Sequence, residues 1–155
     1  MDNIKLIAPC LFGVESIAAD EFRRMGFESV TAENGRVKLS GGINMLARAN
    51  ICSRYAERIM IDVGEFRAAT FTELFDGVKS LPWEDYIGKY DAFPVNGRSI
   101  DSALFSIPDC QSIVKKAIVE RLKQKYHISH FEETGAEYRV RFFIHKNVAS
   151  LMIDT

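Results

Sequence analysis

Apolar positions along the chain change period several times, and each change marks an element. Ile4-Lys5-Leu6-Ile7-Ala8 is a short apolar run that predicts a strand. Val14, Ile17, Ala18, Phe22 and Met25 then recur at helical spacing. Glu15, Asp20 and Glu21 come early in that helix, Arg23 and Arg24 come late, and Gly26 follows. Charges in that order complement the helix dipole, and glycine accepts the left-handed conformation that ends a helix. Phe27 to Glu33 and Arg36 to Ser40 read as strands around Asn34-Gly35, a strong two-residue hairpin signal. Gly41-Gly42 breaks the second strand. Ile43, Leu46, Ala47 and Ile51 restore the helical period, and Ile59 to Val63 closes the unit as a strand central to its sheet. The β-α-β-β-α-β order suits a four-stranded antiparallel sheet with two helices on one face, the ferredoxin-like arrangement.

The remainder is less regular. Phe71 to Leu81 is predicted helical with Thr70 as its cap, and Pro82-Trp83-Glu84 starts another turn. Ala92 to Val95 reads as a strand, with Pro94 arguing for an edge or an end. Asn96 to Phe105 reads as a loop that carries an Asn-Gly pair and Arg98. Ser106-Ile107-Pro108-Asp109 has the form of a capping sequence, and Ile113, Val114, Ala117, Ile118 and Leu122 line the core face of the helix that follows. Tyr138, Val140, Phe142 and Ile144 alternate with Arg139, Arg141, Phe143 and His145. That period of two predicts a strand whose arginines point outward. Lys146-Asn147 turns it into a last strand, Val148 to Ile153. The whole is expected to be an α+β protein of two subdomains, residues 1–65 and 66–155, meeting near Val63 to Thr70, each with its own sheet.

Composition narrows the class. Of 155 residues, 47% are hydrophobic and 26% charged, which is globular rather than disordered composition. No stretch approaches the roughly 18 consecutive apolar residues of a membrane span. Met1-Asp2-Asn3-Ile4-Lys5 lacks the pattern of a signal peptide. Three cysteines, Cys10, Cys52 and Cys110, without a C-x-x-C spacing argue against a disulfide framework or a zinc knuckle, and a reducing cytoplasm is expected.

With 20 basic against 21 acidic side chains, binding to nucleic acid by bulk charge is excluded, so any basic site must be local. Such a locality exists. Asn96 to Tyr126 sums to +3, from Arg98, Lys115, Lys116, Arg121, Lys123 and Lys125 against three acids, whereas Phe66 to Val95 sums to −2. Lys115 and Lys116 fall in the early turns of a helix, whose free amides also favour phosphate. Ser102, Ser106, Gln111 and Ser112 add neutral donors. The plain alternative is a solvated helix face.

Covalent chemistry is missing from the pattern. His127-Ile128-Ser129-His130 has an H-x-x-H spacing with His145 further on, but a metal site needs three or four ligands, so surface histidines are the better reading. Glu132-Glu133 reads as solvated loop, and Cys10 and Cys110 as inert thiols. The eleven phenylalanines read as packing rather than as a base-stacking platform. There is no G-x-G-x-x-G or P-loop pattern. The four prolines are never adjacent, so an Asn/Asp-Pro-Pro-aromatic methylase loop is absent.

Leu6-Ile7-Ala8-Pro9-Cys10-Leu11-Phe12-Gly13-Val14-Glu15 resembles the opening strand and helix start of bacterial rRNA guanine-N2 methyltransferases. In that family a ferredoxin-like piece leads into a THUMP domain. Ala49 to Arg54, Arg58-Ile59, and above all Ser106 with Val114-Lys115-Lys116-Ala117-Ile118-Val119 extend the likeness over essentially the whole chain. The resemblance implies an RNA-binding module, with 23S rRNA as partner and Arg98, Ser106, Gln111, Lys115, Lys116 and Arg141 at the interface. It implies no catalytic residue and no cofactor here. S-adenosylmethionine belongs to a C-terminal methylase domain missing from this chain, and the abrupt end at Thr155 leads to the same expectation. Asp101 inside the basic segment departs from what such an interface wants. The rival expectation is a structural module that braces a larger enzyme without touching RNA.

Overall fold

The structure is a computed structural model that describes residues 4–33, 35–56 and 58–155. The chain divides into two compact units, residues 1–62 with 154–155, and residues 63–153.

In the first unit the order is β1 (Ile4–Pro9), α1 (Glu15–Met25), β2 (Ser29–Glu33), β3 (Arg36–Gly41), α2 (Ile43–Cys52) and the start of β4 (Met60–Arg67). β1 lies between β3 and β4 and is antiparallel to both. The split pairing arises because each helix carries the chain past a neighbouring strand before it returns. Leu6 opposite Leu39 and Ala8 opposite Val37 point to one side. There they bury with Ala18, Phe22, Leu46 and Ala49 from the helices. Ala18 and Ala19, fully buried, let α1 sit close to the sheet. Gly26 ends α1 at φ +100°, the left-handed stop that its sequence position suggests. β2 and β3 pair in register across the hairpin, although Asn34 of the Asn34-Gly35 signal lies outside the described residues. β1, not the strand at Ile59 to Ile61, is central within this unit, and Ile59 is buried just ahead of β4.

The second unit continues β4 and adds α3 (Phe71–Lys79), a single 3-10 turn (Trp83–Asp85), β5 (Val95–Ile100), α4 (Ile107–Tyr126), β6 (Val140–His145) and β7 (Val148–Asp154). Thr70 caps α3 as its sequence predicts, accepting from the Glu73 N–H at 3.1 Å. Trp83 is fully buried and donates Nε1–H to the Val78 carbonyl at 2.7 Å. β5 and β6 are parallel with α4 as their crossover. β6 and β7 form a hairpin turned by Lys146 and Asn147, both at positive φ, as primed two-residue turns require. Val140, Phe142 and Ile144 of β6 are buried, as are Val114, Ala117, Ile118 and Leu122 of α4.

Three expectations need correction. The strand placed at Ala92 to Val95 begins at Val95 and runs to Ile100, so Asn96-Gly97 is strand interior and not a turn. Ala92 makes only an isolated bridge to Glu137. The reason is Gly97: a Cβ there would lie 2.3 Å from the Phe142 carbonyl oxygen and 2.5 Å from its ring, so glycine is needed for close pairing rather than for a turn. The unit boundary also does not coincide with the end of a strand: β4 runs from Met60 to Arg67, through the point where the chain divides. Finally, Ser106 stands at the N-cap of α4, but its side chain makes no cap hydrogen bond.

Candidate nucleic-acid interface

Alternation along β5 and β6 sorts their side chains. In the parallel register Asn96 pairs with Arg141, Arg98 with Phe143 and Ile100 with His145. These six share one face, and Val140, Phe142 and Ile144, all buried, share the other. Asn96, Arg98, Ile100 and His145 are exposed; Arg141 and Phe143 are half-buried. The Arg98 guanidinium lies over the Phe143 ring, 5.1 Å from its centroid. The His145 ring follows at 5.8 Å from Phe143, with 35° between the planes.

The loop after β5 is pinned. Ser102 Oγ donates to the Ile100 carbonyl at 2.9 Å and accepts from the Asn147 N–H at 3.1 Å. Asn147 Oδ1 accepts from the Ala103 N–H at 2.9 Å. Ser99 Oγ donates to the Leu104 carbonyl. Asp101 sits in this loop at φ +48°, exposed. The turn of the β6–β7 hairpin thus holds the loop that leads into α4.

The six residues singled out by sequence do not form one cluster. Arg98 and Arg141 belong to the open sheet face. Gln111, on the first turns of α4, reaches that face at the sheet edge by donating Nε2–H to Asn96 Oδ1 at 2.7 Å. Ser106 is half-buried at the start of α4 and contributes its carbonyl to the Cys110 N–H. Lys116 is exposed on α4. Lys115 is engaged on three sides: its ammonium donates to the Phe93 carbonyl at 3.0 Å, pairs with Glu133 at 2.9 Å, and lies 3.6 Å from the centroid of the Phe93 ring. Adjacent helix positions diverge by about 100°, so the two lysines have different neighbours.

Further along α4 the charge is also engaged. Arg121 makes two hydrogen bonds to the Glu84 carboxylate, at 3.0 and 2.8 Å, and Lys125 stands 3.8 Å from it. The Arg121 hydrogen bonds hold the Glu84 carboxyl below its ordinary value of 4.5 and raise Arg121 in turn. Tyr126 fastens the same turn by donating to the Ile87 carbonyl at 2.6 Å, and burial pushes its phenol up. Much of the +3 segment is therefore bracing for the 3-10 turn and the following loop. Glu133, read as solvated loop, is the partner of Lys115.

Sequence reasoning reads His145 as a surface histidine, and it is exposed; it misses Phe105, which is 81% exposed just before α4. The reading of the phenylalanines as packing fails there and at Phe12, 80% exposed. The parity that turns Arg141 outward puts half-buried Phe143 and exposed His145 on the same face. Among the described residues no group of three or more His, Cys, Asp or Glu is placed to hold a metal ion, and no helix is long and apolar enough to cross a membrane. Cys10 and Cys110 are buried and Cys52 exposed; burial raises the Cys110 thiol. Gly41-Gly42 leads from β3 into α2. The space beside Gly41 is filled by the Phe27 ring, 2.9 Å from where a Cβ would stand, and by Met45.

The architecture has known counterparts. The chain is 42% identical to "Putative RNA methyltransferase YpsC" of Bacillus subtilis (strain 168), over 100% of this chain and 40% of that protein. It is 24% identical to "Ribosomal RNA large subunit methyltransferase K/L" of Aeromonas salmonicida, over 97% of this chain and 21% of that protein. Among solved structures, one described as "a predicted N6-adenine-specific DNA methylase" from Listeria monocytogenes superposes with a TM-score of 0.96 at 46% identity, covering 100% of this chain and 41% of that one. "SMU.472, a putative methyltransferase complexed with SAH" superposes at 0.94 with 39% identity, over 100% of this chain and 42% of that one. The chain thus spans well under half the length of these relatives. Residues 5–60 match the RlmL ferredoxin-like domain and residues 68–154 match the THUMP domain, so the chain belongs to the THUMP domain family and carries an RlmL ferredoxin-like domain ahead of it.

Proposed function

We propose that this chain is the RNA-binding module of an S-adenosylmethionine-dependent rRNA guanine-N2 methyltransferase, and that it positions structured 23S rRNA for a methylase domain outside these residues. The observation that carries the reading is the face that Arg98, Arg141, Phe143 and His145 share on β5 and β6, where exposed Arg98 lies over the Phe143 ring and exposed His145 stands beside it. Arginine laid beside rings on a sheet suits phosphate and base contacts together. Arg98, Arg141 and Lys116 are the cations we assign to phosphate. Gln111 acts by orienting Asn96, and Lys115 and Ser106 support the helix that carries them.

The names of the relatives in Bacillus and Aeromonas favour RNA, and specifically ribosomal RNA. The name of the Listeria relative points instead to adenine in DNA. Guanine-N2 chemistry rests on the likeness of Ser106 and the Val114 to Val119 helix start to that methyltransferase family. S-adenosylmethionine is assigned to the methylase domain, in keeping with the relative solved with SAH.

The test is binding of this chain to an rRNA fragment and to DNA of the same sequence, over about 50 to 200 mM salt. Preference for RNA, with affinity falling linearly in log salt, is the expected result. No binding at low salt returns the module to the bracing role, and preference for DNA overturns the substrate assignment.

A further inference from the structure

The outward row of β5 and β6 sets a guanidinium beside two rings. Arg98, Phe143 and His145 follow one another across the two strands at 5.1 and 5.8 Å. We propose that this row is a stacking platform for unpaired RNA bases, so that the module takes single-stranded or bulged nucleotides in preference to a continuous duplex. The proposal rests on the RNA-binding reading above and names the form of RNA that the same face accepts.

Three observations lead there. The first is chemical. The exposed Arg98 guanidinium, laid over the half-buried Phe143 ring, and the exposed His145 imidazole beside it offer planar faces backed by that ring, and base–aromatic or base–arginine stacking is tolerant of sequence. Bases inside an A-form helix already stack on one another and cannot reach such faces, whereas splayed bases can.

The second is electrostatic. Arg98 and Arg141 lie on this face and Lys146 on the hairpin turn at its end, against Asp101 in the adjoining loop and Glu65, which bonds Ser150 opposite Phe143. That balance suits a phosphate chain better than an apolar or acidic peptide. Asn96 adds hydrogen-bonding capacity: Gln111 occupies its amide oxygen, which leaves an NH2 group to donate to a base edge or a phosphate.

The third is rigidity. The bonds among Ile100, Ser102, Ala103 and Asn147 fasten both ends of the platform's neighbouring loop. The Lys146 N–H donates to the Ile100 carbonyl at 3.4 Å. A surface held in place before binding has less ordering entropy to lose when it meets a flexible strand.

The experiment compares two RNAs of equal length, a single strand carrying one 2-aminopurine and a hairpin with every base but its loop paired and the same label in its stem. The 155-residue chain should bind the single strand about tenfold more tightly at equal salt and quench its fluorescence. Phe143→Ala should weaken that binding about tenfold and abolish the quench, and Phe143→Tyr should restore both. Arg98→Lys keeps the charge but loses the plane, so the salt slope should stay while part of the quench disappears. Near-UV circular dichroism establishes folding. Should Phe143→Ala fail to fold, Arg98→Lys and His145→Ala decide the question at exposed positions. Unaltered affinity and quench in the folded variants, with salt-dependent binding intact, overturn the platform and leave the RNA-binding reading standing. Equal affinity for the hairpin overturns it too. Absence of binding to either RNA overturns both.

Discussion

The basic groups of helix α4 and those of the β5–β6 face look equivalent in sequence and differ in structure. On α4, Lys115 and Arg121 are spent on neighbours: one on Phe93 and Glu133, the other on Glu84. On the sheet, Arg98 lies across a ring and is exposed. A long helix packed against loops has partners within reach all along its flanks. On a strand, alternation alone turns every second side chain to the same face. Local charge density therefore overstates the helix as an interface and understates the sheet.

The sharpest way to break this contrast is Gly97→Ala, which removes the sheet face while sparing the charges of α4. Its Cβ would collide with the Phe142 backbone and ring, and strand β5 would have to move. We expect a stability loss of about 3 kcal/mol by urea unfolding, with RNA binding reduced alongside it. A variant as stable as the parent would show that β5 and β6 pair less closely than described.

Arg121→Ala tests the helix side. The two hydrogen bonds to Glu84 join side chains only 22% and 21% exposed, and their loss should cost about 1–2 kcal/mol with little effect on RNA affinity. A pH signature accompanies it. Because Arg121 holds the folded Glu84 carboxyl below 4.5, the pair's contribution is complete above that value and fades as pH falls through the lower, folded value. The parent should therefore lose more stability than the variant between about pH 5 and pH 3, measured as urea midpoints.

Lys115→Ala and Arg98→Ala form a direct exchange. The first should cost about 1 kcal/mol of stability and leave the salt slope of RNA binding unchanged. The second should change stability by about 0.5 kcal/mol or less but lower the slope by about 0.7 for a single strand. A reversed outcome would return the phosphate site to α4.

The helix starts give a further contrast, of stability alone. Thr70→Ala loses a real cap to Glu73 and should cost about 1 kcal/mol by thermal or urea unfolding. Ser106→Ala, which loses none, should stay within about 0.5 kcal/mol. Equal losses would mean that Ser106 caps α4 in solution and that the helix start is better ordered than the contrast assumes.

Much of the fold was legible because its signals are local. Gly26 stops α1, Thr70 caps α3, and the alternation from Tyr138 to His145 places Val140, Phe142 and Ile144 inside. The strand at Val95 to Ile100 was not, since Asn-Gly has the same letters whether glycine supplies a turn or room for a neighbouring strand. Only the approach of Phe142 decides between them. The candidate interface was half legible for a similar reason. Arg98 and Arg141 are visible as charges, but whether Lys115 is open depends on Glu133 and Phe93, 18 and 22 residues away.

Sequence alone determined the β-α-β-β-α-β opening, the core face of α4, the hairpin at Lys146-Asn147, and the concentration of positive charge after Asn96. Each depends on periods, caps or counts within a few turns of chain. Tertiary structure alone decided that β4 continues from one unit into the other and that Lys115 and Arg121 are bound to neighbours. It also decided that Phe143 and His145 stand beside Arg98 on an open face. These outcomes turn on which distant segments meet, and pairing across β5 and β6 joins residues some 45 positions apart. Local propensity carries no information at that range, because the free energy that selects the pairing comes from burial of the opposite face.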